Sequence, residues 1–238
     1  MRKIVLALIV AFGVAGSYAQ NEAGKFSIKP LAGVNISTFS GGMEDMYHMK
    51  FGFAGGIEAE YGVTPWMGLS LGMVYSQQGA KMDGGYMLNG IDDKGNSFVA
   101  KVSVDGKLKC NYINLPLMAN FYIPQVRGLS IKAGVQVGFL TDDEMTANGG
   151  MVWHVDNRNA TGYNPVLEDN DNVFWYMKTS DVCKSVDVGF PIGLSYEYKN
   201  IVLDARYYIG LTKIDKTEDA EDCRNRCLSV TLGYRFRL

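Results

Sequence analysis

Residues 228–238 alternate without a break. Leu228, Val230, Leu232, Tyr234, Phe236 and Leu238 are apolar, and Ser229, Thr231, Gly233, Arg235 and Arg237 are small or charged. A period of two belongs to a β-strand with one oily face and one polar face. The run is long enough to cross a bilayer at a tilt, which takes about 9–11 residues. Its aromatics lie near one end, where a membrane interface favours them. A strand facing hydrocarbon needs its backbone paired on both sides, so this one stretch commits the chain to a closed barrel.

Seven earlier stretches can be tested against that demand. The same alternation runs through 26–37, 51–61, 67–76, 112–123, 129–139, 186–198 and 201–211. Val135 and Leu203, like Leu232, fall on the oily face. Counting 228–238, the chain is expected to form an all-β, eight-stranded, antiparallel, up-and-down transmembrane barrel. The connections alternate in length: 40–50, 78–109, 141–184 and 213–226 are long, and the three between them are short. Outer-membrane barrels carry short periplasmic turns and long external loops, and this parity fits a periplasmic N-terminus. A soluble barrel of the lipocalin kind would turn its oily face inward; here the inward set holds the charges and glycines. No stretch after residue 19 approaches the 18 or so continuous apolar residues of a spanning helix, as expected when only alternate residues face lipid.

The beginning of the chain has a separate purpose. Arg2 and Lys3 precede an apolar run through residue 16, and Ser17-Tyr18-Ala19 precedes Gln20. A basic start, a short apolar core and a small-x-Ala site read as a secretory signal peptide over 1–19, with the barrel domain over 20–238. A formal net charge of −2 argues against a nucleic-acid partner. The expected partners are outer-membrane lipid and the barrel-assembly machinery, with secretion-system proteins or an external ligand as further candidates. The chain is expected to be a monomer.

The inward charges balance. Lys29, Lys132, Arg206, Arg235 and Arg237 stand against Glu58, Glu60, Asp187, Glu197 and Asp204. An unpaired buried charge is costly, so a filled lumen should pair them. Position along the strands suggests Lys29 with Glu58 and Glu60, Lys132 with Glu197, and Arg235 with Asp204. The same residues could line a gated or proton-conducting channel, but eight strands enclose a bore that side chains normally fill.

Four cysteines, Cys110, Cys183, Cys223 and Cys227, fall near the external end. An even number in an exported chain suggests two disulfides, with three possible connectivities. Cys223 with Cys227, and Cys110 with Cys183, is one of them. No Cys-x-x-Cys spacing suggests a metal. Acidic runs at 44–45, 142–144, 168–171 and 218–222 read as solvated loop charge rather than calcium ligands. His48 and His154 have no Ser or Cys partner that spacing would supply. Nothing groups an acid, a base and a nucleophile, so no enzyme and no cofactor are expected.

Three stretches carry a resemblance: FGFAGGIEAEYGVTPWMGLSLGMVYSQQGA at 51–80, NYINLPLMANFYIP at 111–124 and VDVGFPIGLSYEYKNIVLDARYYIGLTKI at 186–214. With the ending LSVTLGYRFRL, the chain resembles the PorT-like outer-membrane β-barrel family of the Bacteroidota. The resemblance implies an eight-stranded barrel in the outer membrane, assigns no catalytic residue, and raises a role in type IX secretion. It departs in one respect, because Phe236 is followed by Arg237 and Leu238 where such barrels often end on an aromatic. A narrow channel and an outer-membrane lipid-modifying enzyme are the remaining alternatives.

Overall fold

The computed structural model describes residues 22–41, 47–91, 97–156, 173–177, 183–214 and 222–238. The proposed signal peptide and the acidic runs at 44–45, 168–171 and 218–221 lie outside these residues. The strands are β1 (Phe26–Ser40), β2 (Tyr47–His48), β3 (Lys50–Thr64), β4 (Met67–Ile91), β5 (Ser97–Tyr122), β6 (Leu129–Asp156), β7 (Val173–Met177), β8 (Val186–Tyr198), β9 (Ile201–Gly210), β10 (Arg224–Tyr234) and β11 (Phe236–Arg237). β1, β3, β4, β5, β6, β8, β9 and β10 are the eight staves of a closed antiparallel barrel, each bonded to its sequence neighbour, with β10 returning to β1. β11 continues β10 in the same register against β1. The two pairs missing between them are those of Tyr234 with Pro30 and Arg235 with Lys29, and Pro30 has no N–H to give the ladder.

Side chains sort by parity. Leu232, Val135 and Leu203 are 57%, 53% and 51% exposed, whereas Arg235 and Asp204 are 4% and 2% exposed. Exposed apolar side chains form a belt around all eight staves, and the buried set is largely polar. This inversion suits a molecule whose surrounding solvent is hydrocarbon. Aromatics close the belt at the end with the short turns. Phe26 lies on Tyr61 (4.8 Å between ring centres), Trp66 stacks on Phe121 (6.4 Å) and Tyr234 lies against Phe236 (4.8 Å). Lys199 Nζ sits 5.5 Å from the Tyr198 ring centre. Lys199 and Asn200 both have positive φ, 47° and 69°. That pair of angles matches the right-handed twist of the flanking strands in a two-residue hairpin.

The other end corrects the expected loops. Residues 78–109 and 141–184 are not loop throughout: β4 runs on to Ile91, β5 starts at Ser97, and β6 continues to Asp156. The β4–β5 ladder is paired out to Ile91↔Ser97 and the β5–β6 ladder out to Ser97↔Asp156. β2 adds to β4 at Lys81 and Met82, and β7 adds to β6 at 145–149. The run at 142–144 and His154 therefore belong to β6. A register shift at Asn111/Tyr112 separates belt from extension. Thr141 is the extra residue there, and its hydroxyl donates to the Asn111 carbonyl at 3.0 Å. Such a bulge bends the ladder locally and sharpens its twist.

Candidate functional site

The lumen is organised in layers. Nearest the short turns, Arg235 lies between Glu60 (3.0 Å) and Glu197 (2.9 Å) and donates to Ser27 Oγ (3.1 Å). Tyr122 donates to Glu60, and Arg237 reaches Glu197 and Asn200. A recess of about 180 Å³, lined in part by Lys25, Arg235 and Arg237, opens at this end.

Above it, two carboxylates share three cations. Lys29 Nζ is 2.7 Å from Glu58 and 3.5 Å from Asp204. Lys132 Nζ is 2.6 Å from Asp204 and 3.9 Å from Glu58. Arg206 Nε is 2.8 Å from Asp204, and a terminal nitrogen of the same guanidinium meets Glu58. The cluster therefore carries one net positive charge. Small residues make room for these stems. A Cβ at Gly72 would lie 2.9 Å from Glu58 Cγ, one at Gly193 3.0 Å from Arg206 Cγ, and one at Gly233 2.9 Å from Lys29 Cγ.

The pairing differs in part from the sequence expectation. Lys29 does meet Glu58, its direct partner across β1 and β3, but Glu60 pairs with Arg235 instead. Glu197, however, meets Arg235 and Arg237 rather than Lys132. The register sets Lys132 opposite Gly193 on β8, four residues from Glu197, or roughly 13 Å along the strand. Likewise Asp204 lies opposite Thr231, four residues from Arg235. Asp204 instead reaches across β8 to Lys132, over Gly193 and Ser195. Asp187 stands apart from the cations: it accepts from Tyr208 (2.9 Å), Asn225 (2.7 Å) and Thr212 (2.6 Å). A cavity of about 40 Å³ separates Asp204 and Arg206 from Tyr208 and Cys227. At about 30 Å³ per water it holds one or two molecules.

The loop end of the bore is closed by apolar side chains. Phe39, Ala80, Leu108, Cys110, Tyr112, Cys183 and Ile214 form one buried cluster, with Cys223 packed against it. Three chain segments meet here: Lys184 N donates to the Ile214 carbonyl (2.7 Å), and Ile214 N to the Cys223 carbonyl (2.8 Å). On the wall, Gly79 has φ +122°, and a Cβ there would sit 2.0 Å from the Leu108 carbonyl oxygen. Only glycine suits both the angle and the gap. Sequence periodicity does not foresee this plug, because Ile214 lies in a stretch that reads as a charged loop.

None of the four cysteines is in a disulfide in this structure. The Cys183 thiol hydrogen-bonds that of Cys110, and this contact, with burial, pushes the Cys110 thiol well above its ordinary range. Cys227 is elsewhere, buried on the lumen side 3.8 Å from Ser229 Oγ. Cys223 and Cys227 do not suit the disulfide considered for them. The chain between them is extended in β10, so their Cα atoms are roughly 13 Å apart, about twice the span of a disulfide. At the rim, Lys213 and, at 3.0 Å, Arg224 hold the Asp222 carboxyl below the usual carboxylate range.

Comparison with known protein families agrees with this architecture. The sequence profile described as "Outer membrane protein beta-barrel domain" matches residues 18–216. No curated protein matches the chain. Among solved structures, the chain is similar to Ail, the attachment invasion locus protein of Yersinia pestis, at 16% identity. That match covers 90% of this chain and 100% of that one, with a TM-score of 0.43. It is similar to Neisserial surface protein A at 15% identity, covering 89% and 97%, with a TM-score of 0.39. Acinetobacter baumannii CarO matches at 14% identity, covering 86% and 97%, with a TM-score of 0.31.

Proposed function

The chain belongs to the outer membrane protein β-barrel domain family, and from that premise we propose a non-enzymatic integral outer-membrane protein that works through its external end, as a structural or binding protein. One observation carries this reading: β4, β5 and β6 outrun the belt. The belt on β5 ends at Ile113, yet the strand begins at Ser97, which is roughly 50 Å of paired strand beyond the bilayer. A chain whose only task were to fill a membrane would have no use for it. The apolar plug, the ion-paired layers and a cavity sized for one or two waters weigh against a conducting pore.

In this reading residues 1–19 direct export and are removed, outer-membrane lipid surrounds the belt, and barrel-assembly machinery inserts the monomer. The likeness of 51–80, 111–124 and 186–214 to PorT-like barrels of the Bacteroidota favours a second reading, a component of type IX secretion. A gene deletion separates the two. Loss of exported cargo supports the secretion reading. For the first, the deletion strain is complemented with wild-type protein or with a variant in which Gly84 is joined to Val104, its partner across the ladder, by a two-residue turn. The shortened barrel should insert and shift on unboiled gels yet fail to restore the envelope phenotype. Full complementation by the shortened barrel would refute a role for the external end.

A further inference from the structure

We propose that Cys110 and Cys183 become a disulfide that staples the plug to the barrel wall, and that Cys223 is the thiol through which the oxidant enters. This rests on the export reading, since only an oxidising compartment supplies disulfide donors.

The two thiols already touch across the join between β5 and the segment entering β8. Both are buried, Cys110 completely, so neither can meet a bulky donor. Cys223 is the more accessible: it is only partly buried and packs against the same cluster. Cys227 is excluded by its place on the lumen side. The raised affinity of Cys110 for its proton fits the same order of events, because the thiolate is the attacking species.

The chemistry is two-electron disulfide exchange with a small-molecule or protein disulfide as oxidant. The Cys223 thiolate attacks the donor disulfide, forming a mixed disulfide and releasing one donor thiolate. The Cys183 thiolate attacks the Cys223 sulfur, forming Cys183–Cys223 and releasing the second donor thiolate. The Cys110 thiolate then attacks the Cys183 sulfur, forming Cys110–Cys183 and returning Cys223 to its thiolate. The protein loses two electrons and the two thiol protons, and the donor becomes two thiols. The staple ties the loop before β8, and with it Ile214, to the wall. The plug then cannot lift without reduction.

The test uses full-length protein refolded in detergent, reduced, then exposed to oxidised glutathione. Samples are quenched with iodoacetamide in denaturant and mapped by non-reducing peptide mass spectrometry. Wild type should end with Cys110 joined to Cys183, and with Cys223 and Cys227 alkylated. Cys223→Ser should reach the same linkage at least about tenfold more slowly, and Cys227→Ser at the wild-type rate. A gel shift on boiling confirms that each barrel is folded, and Cys223→Ala serves if the serine variant is not. A wild-type rate without Cys223 would overturn the relay. Free Cys110 and Cys183 at the end point, or a linkage of either to another cysteine, would overturn the staple. If the linkage forms in vitro but protein taken from cells carries both thiols free, the export reading fails and the local chemistry stands.

Discussion

Replacing Asp204 with Asn should destabilise the barrel far more than replacing Lys132 with Met, although the two side chains form one ion pair. The reason is the three-to-two stoichiometry of the central cluster. Without Lys132, two cations face two anions, and each anion keeps its contacts: Glu58 with Lys29 at 2.7 Å and Asp204 with Arg206 at 2.8 Å. Without the Asp204 charge, three cations face Glu58 alone, and Lys132 is left with that carboxylate at 3.9 Å. At an effective dielectric of about 20, each of Asp204's contacts at 2.6–3.5 Å corresponds to roughly 5–6 kcal/mol of attraction before desolvation. Breaking a buried pair from one side typically costs about 3–5 kcal/mol. Asp204→Asn should lie at the top of that range and Lys132→Met near 2 kcal/mol, about half or less. The double variant returns the cluster to one net positive charge and should be more stable than Asp204→Asn alone. The measurement is urea unfolding of protein refolded in phospholipid vesicles, followed by tryptophan fluorescence and by the boiling-dependent gel shift. Equal losses for the two single variants, or a larger loss for Lys132→Met, would refute the charge-count reasoning.

Three further outcomes follow from the same geometry. Arg235→Ala strips Glu60 and Glu197 of the guanidinium between them and should cost about 3–4 kcal/mol in the same titration; an unchanged midpoint would mean that this layer adds nothing. Val135→Arg, in the middle of the belt, should cost about 2–4 kcal/mol, against about 0–1 for Phe236→Arg at the rim, and equal penalties would contradict the placement of the bilayer. Lys213→Ala should let the Asp222 carboxyl rise toward its ordinary range, followed by the pH dependence of its NMR shift. Because that group is depressed in the folded state, its contribution is present above the unfolded carboxylate pKa and disappears as pH falls through the folded one.

What could be read from the chain divides at the membrane boundary. Within the belt, lipid on one side and packed charges on the other force a strict period of two, so Leu228 through Leu238 announce both the strand and the direction of every side chain. Beyond Ile113 the outward side chains no longer face the belt's hydrocarbon, and nothing requires them to be apolar: Lys107 is exposed while Leu108 and Cys110 are buried in the plug. The stretch 78–109, rich in Gly, Asp and Lys, therefore reads as loop although β4 and β5 pair through it. The ion pairs show a similar limit. Lys29 with Glu58 could be found because the two are direct cross-strand partners. Lys132 with Asp204 could not be, since β8 runs between their strands and the contact depends on Gly193 and Ser195 being too small to obstruct it. The plug was hidden for a third reason: onto the alternate β5 residues Leu108, Cys110 and Tyr112 it gathers single residues of distant segments, Phe39, Ala80, Cys183 and Ile214, which no local pattern links.

The three elongated staves have a practical implication. A peptide inserted between Ile91 and Ser97 would be carried at the tip of a ribbon whose root is held by the cylinder. It would stand well clear of the lipid headgroups, while the residues that govern membrane insertion stayed untouched. In the orientation proposed above, that tip would serve as a mast for displaying foreign epitopes.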